Sequence, residues 1–298
     1  MQILSPRLAQ IALLLACLPI LTVPRGGIGV AHADSDGTLS SLSTCQRGTL
    51  ACVDTVVREM THRFDVLAAS CDHKAVFSLL YLRTTEEYRQ AVAEDPQFFV
   101  DTAYVNHQDA LFADYYFWAT SATAAKLAAV PLAWQIANEA ADRREVTGAG
   151  DIFLGMSAHI NRDLPFVLET LGLTHPDGSS RKPDHDKVNE ILRRVIEGPV
   201  LSEAARRFDP SITTIDVPGT RLDTELFFGL VEGWRERAWQ NAARLADAEN
   251  SAMRQLVANE IEEVAAAETL ALKETNAYRP PLTSTATRDT YCAMTQGQ

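Results

Sequence analysis

The stretch Ala158-His159-Ile160-Asn161-Arg162-Asp163-Leu164-Pro165 sets an imidazole and a carboxylate four residues apart inside an apolar helical pattern. Four residues is about one helical turn, so both side chains leave the same face roughly 6 Å apart. A pair so placed can share a metal ion, work as an acid/base couple, or hydrogen-bond inside a core. The flanking Phe153, Leu154, Met156, Ile160, Leu164 and Phe166 point to burial.

Further polar residues interrupt apolar faces elsewhere: Asn106, His107, Asp109 and Asp114 in one segment, and Asp184, His185, Asp186 and Asn189 in another. His107 and Asp114 are seven apart, two turns, and share a face. Helical bundles build metal sites from inward-facing His and carboxylate side chains. His107, Asp114, His159 and Asp163 are therefore the candidate ligands of a divalent metal, for which zinc, manganese or iron are suited. A metal-bound water would then hydrolyse an ester or phosphoester. Trp234, Arg237 and Asn241 fall on one face, where Arg237 can bind an anion; two core tryptophans with snorkelling arginines are the competing reading. His185, flanked by acids, reads as the opening of a helix, and His62/Asp65 and Asp72/His73 as surface pairs. The nucleophile-elbow, phosphate-loop, H-E-x-x-H and dinucleotide fingerprints do not occur in the sequence.

These residues need helices to position them, and the chain is rich in helical patterns. At 298 residues and 46% hydrophobic it can bury a large core. The apolar run Leu8 to Val23 and the triplet Ala31-His32-Ala33 read as a signal peptide over residues 1–33, with a mature chain from Asp34. Cleavage removes Arg7 and Arg25 and no acid, taking the formal charge from −12 down by two to −14. So acidic a surface repels nucleic acid and anionic membranes. A secreted or cell-envelope location follows, with no nucleic-acid partner and no stable membrane span once the signal is cleaved. The partner expected instead is a small molecule or lipid.

Residues 34–51 read as a flexible leader, 52–276 as a helical domain, and 277–298 as an extended tail. Val53, Val56, Val57, Met60, Phe64 and Leu67 recur at helical steps. One helix over Val53 to Ala69 holds Cys52 and Cys71 roughly 28 Å apart, beyond disulfide reach. The favoured pairing is Cys45–Cys52 with Cys71–Cys292, against the alternative of four buried thiols. A second helix spans Lys74 to Leu82, and Thr84-Thr85-Glu86-Glu87 resembles a capping box opening another. Pro131 ends or kinks the helices of the aromatic segment, and Gly148 to Gly172 brackets the helix that carries His159. The β-branched residues of Asp209 to Thr220 allow a short strand. The pattern from Arg221 to Asn276 breaks at least once, because about 55 residues would span roughly 80 Å. No βαβ alternation is present, and the expected fold is all-α: a multi-helix orthogonal bundle, a single domain with disulfide-tethered termini.

Met156 to Pro165, Asp186-Lys187-Val188-Asn189-Glu190-Ile191-Leu192 and Arg237-Ala238-Trp239-Gln240-Asn241-Ala242 together resemble an uncharacterised exported actinobacterial family, domain of unknown function 5995, over about Thr55 to Leu270. That resemblance implies a helical domain and brings no activity. A weaker similarity, through His-x-x-x-Asp, is to the all-α zinc phospholipase C and single-strand nuclease group. This chain departs from that group in starting its mature part with Asp34 and in lacking further paired His motifs. The functional expectation is a metal-dependent hydrolase of a lipid or phosphoester, with His159, Asp163 and Arg237 in the catalytic site. The alternative is a non-catalytic helical protein binding an apolar or amphipathic ligand.

Overall fold

The computed structural model describes residues 45–121, 129–215 and 222–295. The chain divides into Met1–Ala31 and His32–Gln298, and the elements below belong to the second unit. The signal peptide expected over residues 1–33 and residues 34–44 of the expected leader lie outside the described residues.

Helix α1 (Leu50–Ala69) buries Val53, Val56, Met60 and Phe64 against α2 (Ala75–Glu94). The capping box expected at Thr84-Thr85 does not form. Their hydroxyls donate instead to the carbonyls of Leu80 and Tyr81, at 2.9 and 3.1 Å, and α2 runs through unbroken. Residues Ala75 to Leu82 are all buried. A helix apolar on every side belongs at the centre of a bundle, and α2 is so placed.

Helix α3 (Thr102–Ser121) opens where the Asp101 carboxylate accepts the Tyr104 N–H, and α4 (Leu132–Asp142) starts directly after Pro131. Thr147 caps α5 (Gly148–Ser157) by accepting the Gly150 N–H. A π-helical turn (Ala158–Asp163) joins α5 to α6 (Leu164–Leu171). Helices α7 (Lys182–Glu197) and α8 (Val200–Arg207) follow, then a 3₁₀ turn, Pro210–Ile215, in the irregular stretch whose β-branched residues allow a short strand. The Asp209 carboxylate accepts both the N–H and the hydroxyl of Ser211, which curls this segment into a turn. Helices α9 (Leu222–Ala246) and α10 (Ser251–Thr275) are separated by the anticipated break, at which Asn250 caps α10 by accepting the Met253 N–H. Strands are absent among the described residues, which contain only isolated bridges such as Val146 with Ala277, and the fold is an all-α multi-helix bundle.

Both favoured disulfides are present, Cys45–Cys52 and Cys71–Cys292. The tail is not simply extended, because Thr285–Thr295 forms α11. More than Cys292 holds it. Arg288 is buried and donates to Asp151 at 2.6 Å, and Asp289 meets His73 at 3.0 Å. His73, expected at the surface, is thus buried, and burial lowers its pKa to about 4.

Candidate functional site

Pro165 explains the local backbone at the His159 motif. It has no N–H to donate one turn back, and the Leu164 N–H reaches five residues back to the His159 carbonyl. A π turn of this kind admits one extra residue into a helix and frequently marks a functional site. Within it His159 and Asp163 meet as their spacing predicts, with Nδ1 and Oδ2 2.9 Å apart. Asp163 is 1% exposed. Its Oδ2 also accepts the Trp134 indole N–H at 2.7 Å, and its Oδ1 accepts from Arg162 at 3.1 Å. Three donors surround one acceptor, so the imidazole proton is assigned to Nδ1, and the lone pair of His159 lies on Nε2.

His159 also lines a cavity. α2, α3, α5, the π turn, α6, α7 and α9 line about 120 Å³ of free space, walled largely by side chains such as Leu80, Met156, Ile191, Val195 and Phe227. This volume approaches that of the ~150 Å³ cavity known to accept benzene. Three buried polar atoms on the residues lining it have no hydrogen-bond partner among the described residues: His159 Nε2, Tyr81 Oη and Asp109 Oδ2. Phe112 stacks flat on the His159 ring, with centroids 3.4 Å apart, and Tyr81 meets it edge-on at 4.8 Å.

Burial lowers the His159 pKa, against the opposing hydrogen bond from Asp163, so the imidazole is neutral near pH 7. Burial pushes the Asp109 carboxyl the other way, up to about 7. Near pH 7 a neutral base and an acid that keeps part of its protons thus line one cavity. Asp109 also makes a testable contribution to stability. Its folded pKa lies above its unfolded value of 3.8, so the folded state holds the extra proton between those values, and stability falls as pH rises through that window. Asp109→Asn should therefore melt higher than wild type at pH 8, with the gain shrinking towards pH 4. Equal melting differences at both pH values would show that Asp109 is not the group responsible.

A model of a family of unknown function, DUF5995, matches residues 53–274. The chain belongs to DUF5995. No curated protein and no solved structure matches it, which leaves the zinc phospholipase and nuclease similarity without support. The DUF5995 match runs from α1 to α10 and takes in every residue lining the cavity. It leaves out Cys45, Cys52, α11 and Cys292.

The DUF5995 domain does not gather the four expected metal ligands at one point. Val105, Gln108, Asp109 and Phe112 of α3 face the cavity, and His107 and Asp114, about 200° round the helix from Asp109 and Phe112 respectively, face away from it. Both oxygens of Asp163 already accept hydrogen bonds. Among the described residues no cluster of three or more His, Cys, Asp or Glu is arranged to hold a metal ion. Arg237 donates to Glu268 at 2.6 Å and to Asn161 at 3.1 Å and is not on the cavity wall. Trp234 is buried in the core. Asp184, one of the polar candidates of the segment that opens a helix, accepts the N–H groups of Val100 and Asp101, tying α7 to the start of α3. Arg235, two residues before Arg237, does line the cavity. Tyr81 escaped notice because a tyrosine on an apolar helix reads as core. Its only sequence signal is the spacing of Tyr81, Thr85 and Tyr88 on one stripe of α2.

Proposed function

We propose that this DUF5995 protein is an exported enzyme doing acid/base chemistry on an apolar or amphipathic small molecule held in the cavity, with ester hydrolysis as the reaction. The observation that carries this reading is His159, a buried residue on the wall of an apolar cavity whose Nε2 has no hydrogen-bond partner while Nδ1 is held by Asp163. His159 takes a proton from water as the water oxygen bonds to the ester carbonyl carbon. The Asp109 carboxyl or the Tyr81 hydroxyl donates a hydrogen bond to the oxygen that becomes negative. The tetrahedral intermediate expels the alkoxide, which takes the proton from the imidazolium that Asp163 stabilises. Two disulfides suit an oxidising compartment, and no helix among the described residues is long and apolar enough to cross a membrane.

Two results support metal-free chemistry over the metal-dependent hydrolase expected from sequence: His107 and Asp114 are not on the wall of the cavity that His159 lines, and Asp163 is occupied by donors. The purified protein should hydrolyse 4-nitrophenyl esters of short acyl chains, unaffected by a chelator. His159→Ala should lower kcat/KM by roughly 10²- to 10⁴-fold. The rate should decline above about pH 7 as Asp109 loses its proton. A wild-type rate no greater than that of His159→Ala would overturn hydrolysis. The second reading, a non-catalytic binding protein, is favoured by Phe112, whose flat stack covers one face of the imidazole. In that case ligand affinity changes in His159→Ala and no ester turns over.

A further inference from the structure

Arg235 is 5% exposed and leaves α9 one and two turns after Val231 and Phe227, all three of them on the cavity wall. Its Nε donates to Asn189 Oδ1 at 2.7 Å, and its Nη2 donates to the His185 carbonyl at 2.5 Å. Both acceptors are neutral. Among the described residues no carboxylate lies within ion-pair distance of this guanidinium. The other deeply buried arginines differ: Arg162 pairs with Glu262 and Asp163, and Arg288 with Asp151. A buried cation held only by neutral oxygens is costly, and a second charge of opposite sign would relieve it. His185 beside it adds no charge, since burial and the Arg235 guanidinium hold its pKa well below the ordinary value.

We infer that the cavity takes an anionic amphiphile, its carboxylate on Arg235 and its short hydrocarbon body against Ile191, Val195, Phe227 and Val231. This rests on the cavity being a ligand site, as proposed above, and adds the class of ligand. A guanidinium matches a carboxylate in shape and charge. The free volume of about 120 Å³, somewhat less than the ~150 Å³ cavity that holds benzene, suits a hydrocarbon body of about four to six carbons.

The test is calorimetric titration of the full mature protein with pentanoate and hexanoate beside 1-pentanol and 1-hexanol. A charge-assisted contact of this kind should make each carboxylate bind roughly 10-fold or more tightly than its alcohol. Arg235→Gln should remove that preference and leave alcohol affinity within about twofold. Arg235→Lys, which keeps the charge, should retain part of it. Equal affinity for acid and alcohol in the wild-type protein would overturn the role of Arg235 and leave the cavity as a ligand site. Failure of both series to bind would overturn the cavity as a ligand site as well. The wild-type ratio decides the matter even if Arg235→Gln fails to fold.

Discussion

Asp163→Ala is expected to lower the unfolding free energy by about 3–5 kcal/mol, the usual cost of stripping the partner from a buried charge. The carboxylate is the acceptor for Trp134 Nε1, His159 Nδ1 and Arg162. Its loss leaves two buried donors unsatisfied, while Arg162 keeps only Glu262. A methyl group also leaves a void where the π turn packs on Trp134 of α4. The urea midpoint should fall at unchanged m, and the melting temperature by roughly 10 °C for a domain of this size. His159→Ala should cost less, about 1–3 kcal/mol, because Trp134 and Arg162 keep their acceptor. A loss below about 1 kcal/mol for Asp163→Ala would contradict this account of the carboxylate.

The other large effect belongs to the disulfides, whose loops differ widely in length. Cys71–Cys292 spans 221 residues and Cys45–Cys52 spans 7. On the chain-entropy account, opening the first should cost about 5 kcal/mol and opening the second about 2. The double variant Cys71→Ala/Cys292→Ala should therefore unfold at a much lower urea concentration than Cys45→Ala/Cys52→Ala. Arg288 with Asp151, His73 with Asp289, and the Tyr291 hydroxyl on the Arg206 carbonyl still hold α11 once the long bridge is open. Local opening of α11, read by proteolysis of the tail, should rise with the global loss. Equal destabilisation by the two double variants would refute loop length as the source.

Local features were legible where the interacting groups lie within a turn or two. The His159/Asp163 contact needs only a helix and a four-residue step. The break between α9 and α10 follows from length, and Asn250 supplies the cap that places it. Excluding Cys52–Cys71 needs only the 20-residue length of α1. Where two local signals competed, sequence reading failed: Thr84 and Thr85 resemble a cap, but their hydroxyls are satisfied by carbonyls one turn back within α2. The tail, short and polar, carries no strong periodicity, and α11 forms because Arg288 and Cys292 meet partners far back in the chain.

The sequence by itself determined an all-α chain and one His/carboxylate couple and favoured the two disulfides, since periodicity, helix length and one-turn spacing are properties of neighbouring residues. Only the tertiary structure decided which polar groups meet. It turned His107 and Asp114 away from the cavity, tied Arg237 to Glu268, and brought Tyr81, Asp109, His159 and Arg235 from four helical segments to one cavity. The physical reason is rotational. Neighbours on one helix set which residues share a face, but the face that meets the cavity is set by burial against helices distant in sequence, and a step of two residues carries a side chain to the other side.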